Sequence, residues 1–320
     1  MKVLVIGASG FIGTHIVKYA VSQKHQVVAG VRKSSDTSQL QNLQVPSTVF
    51  SYHSGELLQK EMEELKQLYG TFDLIIHNAG LTKAFDPKKL FETNQVLTVK
   101  FAKLIEKQGL LSAKGKLVYV SSLAARGPSG VLKPVTNYGR SKLLAEEQLL
   151  EMSLPLVIVR PTAVFGPGDA AFLKLFKAIK MNIAPLLAKP TQQLSFIFAR
   201  DLARLLVDYA PAQPDNTIIA ATDGKNYAPG ELYSSIGNSI GKNPVTIRIP
   251  SFIMMPYAHA NEFFARIFKG QPVLTPEKMN ELTADWAITE EDVTPKDFIF
   301  TSLGDALKES AEHYRQNGLL

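Results

Sequence analysis

The segment that most constrains this chain is its beginning. An apolar run, Lys2–Ile6, passes directly into Gly7-Ala8-Ser9-Gly10-Phe11-Ile12-Gly13 and then into a helical pattern from Ile12 to Gln23. Glycines spaced three and three apart carry little information on their own. Between a strand and a helix they permit a tight turn at Gly7, backbone approach to a pyrophosphate at Gly10, and close helix-on-strand packing at Gly13. The first turn of the helix also offers unpaired N–H groups to phosphate oxygens. A chain that opens this way is committed to a βαβ unit that holds a dinucleotide, with Gly7, Ser9, Gly10, Phe11, Ile12 and Gly13 as its cofactor loop.

The same alternation continues through the first half of the chain. Short runs rich in Val, Ile, Leu and Phe predict strands at Lys2–Ile6, Gln26–Val31, Thr48–Ser51, Asp73–Ile76, Lys116–Val120 and Leu156–Arg160, apolar enough to be buried on both faces. Helical spacing predicts helices at Ile12–Gln23, Leu57–Tyr69, Pro87–Gln108 and Tyr138–Met152 between them. Six strands separated by helices read as an α/β fold, a doubly wound parallel sheet of Rossmann type. After Gly166 the pattern changes: Pro and Gly become frequent and strand runs shorten to Ser195–Phe198, Thr217–Ala221 and Val245–Ile249. Helices are expected at Phe172–Met181, Asp201–Tyr209, Ser251–Phe268 and Leu303–Gln316. The division that results is a dinucleotide-binding domain over 1–165, with 193–222 returning to it. A smaller, mostly helical C-terminal substrate-binding lobe takes 166–192 and 223–320.

Composition narrows the functional classes. A chain of 320 residues with 45% hydrophobic and 20% charged residues has the make-up of a packed globular protein. With no cysteine, disulfides, thiolate metal sites and cysteine nucleophiles are ruled out. The apolar run at the N-terminus is too short for a signal-peptide core, and no stretch nears the ~18 residues of a membrane span, so a cytoplasmic protein without a membrane partner is expected. The six histidines, at positions 15, 25, 53, 77, 259 and 313, show no ligand spacing, and no metal is assigned. The net charge of +6 is spread over scattered basic residues such as Lys88 and Lys89 and lacks a nucleic-acid signature. A small-molecule substrate, no nucleic acid, and a monomer or homodimer are the expectation.

The end of the second strand is the next informative place. A dinucleotide fold usually carries Asp or Glu there for the adenosine ribose hydroxyls. Here the chain reads Val31-Arg32-Lys33-Ser34-Ser35. Arg32 can grip a ribose 2′-phosphate with its planar fork and Lys33 can add a point charge, so NADP is the expected cofactor and NAD the less favoured one. After the third strand, Glu56 and the adjoining Leu57 stand where a carboxylate and an apolar neighbour can meet the adenine; an ordinary helix-start acid is the competing reading.

At the carboxyl end of the fifth strand stand Ser121 and Ser122, and sixteen residues after Ser122 comes Tyr138-Gly139-Arg140-Ser141-Lys142, which opens a helix. Four residues apart, Tyr138 and Lys142 share one helix face. An ammonium ~4 Å from a phenolate is worth roughly 4 kcal/mol at an effective dielectric of ~20, enough to bring a phenol from ~10 toward neutrality. Together with the glycine loop, these residues closely resemble the extended short-chain dehydrogenase/reductases, and the likeness covers nearly the whole chain. It includes His77-Asn78-Ala79-Gly80, Asn94, Arg160-Pro161-Thr162-Ala163-Val164-Phe165-Gly166-Pro167, Asp201-Leu202-Ala203 and the tail from Tyr314 to Gly318.

The resemblance implies roles. Ser122 would hydrogen-bond the substrate oxygen, Tyr138 would act as general acid/base, and Lys142 would charge the tyrosine's surroundings and bind the nicotinamide ribose. Asn94 completes the catalytic set, although in this branch its position often serves structure. Asn78, Ala79 and Gly80 would line the cofactor, and the backbone after Pro161, around Val164, would meet the carboxamide. The family reduces ketones, oxidises alcohols, and epimerises or dehydrates nucleotide-linked sugars with one set of active-site groups, so fold and triad alone do not separate these. A non-catalytic cofactor sensor is a third reading, against which the retained Ser122, Tyr138 and Lys142 argue. Sugar-nucleotide members commonly carry an arginine seven residues before the aspartate matched here by Asp201; this chain has Leu194, and Phe198 where histidine is frequent. The expectation is therefore a hydride transfer to or from a small or apolar carbonyl or alcohol. Apolar residues of 252–257 and Phe263-Phe264 are candidates to line the pocket.

Overall fold

In the computed structural model, described over residues 1–52, 55–84, 86–186, 189–249, 254, 256 and 275–320, the chain opens with β1 (Lys2–Ile6), α1 (Phe11–Ser22), β2 (Gln26–Val31), α2 (Ser38–Asn42) and β3 (Ser47–Val49). It continues through α3 (Gly55–Tyr69), β4 (Phe72–His77), α4 (Pro87–Phe91), a π-helical segment (Glu92–Leu97), α5 (Thr98–Lys107), β5 (Leu111–Val120), α6 (Leu123–Arg126), α7 (Asn137–Leu150) and β6 (Leu156–Pro161). Then come β7 (Ala163–Phe165), α8 (Ala170–Lys180), β8 (Ile183–Leu186), β9 (Phe196–Phe198), α9 (Ala199–Arg204), a second π segment (Leu205–Tyr209) and β10 (Thr217–Ala221). The C-terminal elements are α10 (Pro229–Ile240), β11 (Val245–Arg248), α11 (Pro276–Thr283) and α12 (Leu303–Gln316).

Seven strands form one parallel sheet in the order β10-β6-β5-β4-β1-β2-β3. From β1 the chain builds outward to β3, returns to β4 on the other side, and builds outward again. The carboxyl ends of β1 and β4 therefore flank the switch point at which open α/β sheets bind ligands. One face of the sheet is covered by α1, α9 and the second π segment, through Ile16, Val17, Ala20, Leu202 and Leu206; the other by α3, α5 and α7, through Leu58, Met62, Phe101, Ile105 and Leu149. A third core, rich in aromatics, joins β7 and β9 to α8, α10 and α12 around Phe165, Phe176, Phe196, Phe198 and Tyr314.

Several boundaries differ from the pattern-based expectation. The third strand is Ser47–Val49, an exposed edge strand rather than a buried run over Thr48–Ser51, because it has a partner on one side only. The long helix expected over Pro87–Gln108 is interrupted by a π turn, inside which the buried Asn94 bonds both backbone groups of Leu81. Helix α10 escaped the pattern because glycine, serine and asparagine dilute its apolar spacing, though Pro229 starts it and Gly241 ends it in the left-handed conformation. The helix expected over Ser251–Phe268, and with it Phe252, Ile253, Met255, Tyr257, Phe263, Phe264 and Arg266, lies outside the described residues apart from 254 and 256.

Candidate active site

The cofactor loop leaves β1 at Gly7, whose φ of +86° and close approach to Ala79 (a Cβ would sit 2.8 Å from its nitrogen) exclude other residues. At Gly13 a Cβ would lie 2.1 Å from the Gly7 carbonyl, so the helix can pack this tightly only without a side chain. The N–H of Gly7 donates to Gly30 on β2 at 2.9 Å, and that of Asn78 to Ile6 at 2.9 Å, tying the loop to both flanking strands. Helix α1 starts at the exposed Gly10 with no capping side chain and no acid in its first turn. Ser9, Phe11 and Ile12 are half-buried beside it. An uncapped helix start behind an open glycine edge fits a pyrophosphate, and the residues present fit a dinucleotide.

At the end of β2, Arg32 and Lys33 are both exposed, in a turn where the Ser35 N–H donates to the Arg32 carbonyl at 3.0 Å. Asp36, the first acid after the strand, already accepts the Ser38 N–H at 2.9 Å at the start of α2. Arg32 lies close enough to Tyr52 to draw its phenol downward, against burial that pushes it up to about 12. Glu56 and Leu57 are exposed on the first turn of α3. Asn78 and Ala79 lie against Gly7, while the open side of Gly80 faces Lys142 Nζ and Asn94 Oδ1, 3.2 and 3.0 Å from where a Cβ would stand. Asn94 is fully committed: its Oδ1 accepts from Leu81, and its Nδ2 donates to the Leu81 carbonyl at 2.8 Å and to Ser141 Oγ at 2.9 Å.

Ser122 ends the run from β5 and caps α6, its Oγ accepting from the Ala124 N–H at 3.2 Å. Thr136 caps α7 by accepting from Gly139, which sets Tyr138 on the first turn, half-buried and hydrogen-bonded to the Ser122 hydroxyl. One turn on, the buried Lys142 donates to the Val120 carbonyl at 2.9 Å and lies 4.9 Å from the centre of the Tyr119 ring. Ser122, Tyr138, Lys142, Asn94 and Gly80 thus converge at the carboxyl end of β5. Pro161 is buried at the end of β6, and the half-buried Val164 lies on β7, paired with β9. Arg32 and Lys33, at the end of β2, and Glu56 and Leu57, after β3, stand apart on the far side of the switch point.

The electrostatics differ from expectation at one point. Burial pushes the Tyr138 phenol above its ordinary 10, and Glu281 adds to the rise; the Ser122 hydrogen bond is the influence that lowers it. The phenol thus stands above its ordinary value rather than drawn toward neutrality as the helix spacing alone implies, and the Lys142 ammonium donates to the Val120 carbonyl. Burial lowers Lys142 itself to about 8, opposed by Glu146 one turn further along α7. The pattern reading missed Glu146 and Glu281; the first carries a signal, since residue i+4 from Lys142 shares its face, whereas Glu281 is brought in from the distant helix α11. That helix docks on the start of α7, with Asn137 donating its backbone N–H and its amide to Glu277.

On the opposite wall, Leu194 exchanges backbone hydrogen bonds with Tyr227 at 2.9 and 2.7 Å, and its side chain packs against the aromatic core. Phe198 is buried in that core. Arg200 is paired with Glu309 at 2.9 Å on α12, and Lys174 and Lys177 are exposed on α8.

Residues 3–219 match the model of the NAD dependent epimerase/dehydratase family. The chain belongs to this family. It is an NAD(P)-dependent enzyme of the extended short-chain dehydrogenase/reductase type. Among curated relatives, the enzyme is 28% identical to the ceramide reductase of Caulobacter vibrioides over 251 residues, 78% of this chain and 73% of the relative. It is 25% identical to the UDP-glucose 4-epimerase of Vibrio cholerae over 275 residues, covering 78% of this chain and 79% of the relative. Among solved structures, the fold matches the crystal structure of gox2253 over 100% of this chain and 99% of the other, with a TM-score of 0.76 at 21% identity. Reductases and epimerases thus stand side by side among the relatives. No helix among the described residues is long and apolar enough to cross a membrane, and no group of three or more metal-binding side chains occurs among them.

Proposed function

We propose that the enzyme is an NADP-dependent oxidoreductase that interconverts a small or apolar carbonyl compound and its alcohol. The observation that carries this reading is Leu194. Where sugar-nucleotide members commonly hold an arginine against a diphosphate, this enzyme has an apolar side chain turned into the aromatic core. Arg200, a cation six residues further on, is already occupied by Glu309. A diphosphate needs fixed, charge-assisted donors, each worth about 1.5–3 kcal/mol.

In this reading the lobe of 166–192 and 223–320 shapes the substrate pocket, and 1–165 with 193–222 holds the cofactor. Gly7, Ser9, Gly10, Phe11, Ile12 and Gly13 receive the pyrophosphate, Arg32 and Lys33 the 2′-phosphate, and Glu56 and Leu57 the adenine. Asn78, Ala79, Gly80, Pro161 and Val164 line the nicotinamide half. The bound nicotinamide supplies or accepts the hydride. Ser122 donates a hydrogen bond to the substrate oxygen and Tyr138 passes it a proton or takes one away. Lys142 binds the ribose and, by its charge, favours the phenolate as the proton leaves. Asn94 acts through Leu81 and Ser141 to hold this arrangement rather than touching substrate.

The epimerase or dehydratase reading remains the second one, favoured by the coverage of the Vibrio cholerae relative. Two measurements separate them: turnover of a panel of carbonyl compounds with NADPH and NADH, and calorimetric titration of the NADP-loaded enzyme with UDP, GDP, dTDP and CDP. Carbonyl turnover faster with NADPH and no nucleotide binding is expected. Micromolar affinity for any of the four nucleotides would transfer the assignment to the sugar-nucleotide chemistry.

A further inference from the structure

Beneath the Ser122, Tyr138 and Lys142 cluster lies a buried ionic group that the reaction scheme does not use. Glu146 is 1% exposed on α7, four residues after Lys142. Its carboxylate accepts from the Ser121 hydroxyl, at the strand end next to Ser122, and from the Arg160 guanidinium on β6 at 3.0 and 3.2 Å from Nε. Burying a carboxylate this deeply is costly unless it is paired and its oxygens are satisfied, and here both conditions hold. The pairing faces the site from below: Ser121 on one side, Arg160 on another, and Lys142 along the same helix.

We propose that Glu146 is a positioning residue of the reaction, holding Lys142 in its charged form and fixing the strand end that carries Ser122. The other groups around Lys142 do not supply the compensating charge. His77, from β4, is kept neutral by burial; Tyr119, from β5, is driven upward and stays neutral; and Tyr138, on α7 itself, is pushed upward as well. Asn94, from the π segment, is uncharged and committed to Leu81 and Ser141. Among the described residues, Glu146 is the carboxylate that acts on Lys142. Arg160 pairs with that carboxylate, and its charge also acts on Arg126, which is itself paired with the buried Asp292 and influenced by Glu291. Lys142 therefore sits at one end of a group of charged residues that runs from α7 through β6 and α6 to the segment around 292.

The consequence for catalysis rests on the oxidoreductase reading, but the core of the proposal concerns one ammonium group. The test is an NMR titration of the intact enzyme labelled with 13C at lysine Cε, with the Lys142 signal identified by its loss in Lys142→Arg. The native midpoint is expected at about 8. Glu146→Gln should lower it by at least about one pH unit, the scale of a nearby buried charge. Arg160→Gln, which leaves the carboxylate in place without its guanidinium, should raise it. A purely architectural ion pair would instead loosen the site alike in both variants, so midpoints that move in the same direction, or not at all, overturn the proposal. If Glu146→Gln alone fails to fold, the double variant Glu146→Gln/Arg160→Gln, which strands no charge, takes its place and must also lower the midpoint.

NADPH affinity supplies the second arm. Glu146→Gln should weaken binding about tenfold at pH 8 and leave it nearly native at pH 6, where Lys142 regains its proton. Equal weakening at both pH values would mark a structural defect and overturn the proposal. A shifted midpoint with cofactor affinity unchanged at both pH values would keep Glu146 in its role and remove Lys142 from the ribose.

Discussion

The two walls of the cleft are built on different plans. One wall is made by short contiguous pieces of chain at the ends of β1, β4 and β5, each held by backbone hydrogen bonds to the adjacent strand. The opposite wall is assembled from segments far apart in the sequence. Gln192 Nε2 donates to the Ala284 carbonyl at 2.6 Å, Ser195 Oγ to Asn226 at 2.6 Å, and Ile288 N–H to Ser195 Oγ at 2.9 Å. The cofactor is a fixed chemical object, and a parallel sheet with its switch point solves its binding in local pieces. The substrate side can change by exchanging side chains and loops without disturbing that solution, which is how one scaffold serves reductases and epimerases alike.

The largest expected effect comes from cutting the tie between the walls. Arg126, at the end of α6, forms a buried ion pair with Asp292 and donates to the Ala287 carbonyl at 2.9 Å, joining the loop after β5 to the opposite wall. Arg126→Met leaves Asp292 buried without its guanidinium and should cost about 3–5 kcal/mol, read by denaturant unfolding. A loss below about 1 kcal/mol would mean that the walls are held together by packing alone.

Next in size is Tyr138→Phe, which keeps the ring and removes the transferable proton. Turnover on a confirmed substrate should fall at least ~10²-fold with cofactor affinity retained. A variant that kept most of its rate would move the proton transfer to another group.

A smaller, selective effect is expected at Arg32, at the end of β2. Arg32→Ala should weaken NADPH by about ten- to a hundredfold and leave NADH nearly unchanged, as loss of one charge-assisted phosphate contact implies. Fluorescence titration of the unmutated enzyme with equal affinities for the two cofactors would refute the assignment.

The smallest effect concerns His77, which ends β4 with both ring nitrogens buried and without a hydrogen-bond partner. Burial, aided by the Lys142 charge, lowers it from 6.5 to about 3. Between those values the unfolded chain holds more protons than the folded one, so stability is present above 6.5 and declines as pH falls. The slope from this group approaches about 1.4 kcal/mol per pH unit. Comparing unfolding at pH 6 and pH 5, His77→Leu should remove about 1 kcal/mol of the acid-induced loss. An unchanged loss would place the acid sensitivity in other groups.

How much of the molecule is legible in the chain depends on the range of the forces involved. The six strands, the glycine loop, the Tyr138 and Lys142 spacing and the absence of an acid after β2 are readable because each depends on neighbours within one turn or one strand. The Rossmann-type sheet follows from their alternation, and strands such as Gln26–Val31 and Thr217–Ala221 have the limits their residues imply. Three matters needed the tertiary structure. The direction of the Tyr138 shift depends on burial and on Glu281, whose helix reaches the site from more than a hundred residues away. The π turn at Asn94 is set by a bond to Leu81 across a loop, which no helical periodicity encodes. The charge line from Lys142 through Glu146 and Arg160 exists only because β5, β6 and α7 pack together and exclude water, which turns three ordinary polar residues into one coupled group.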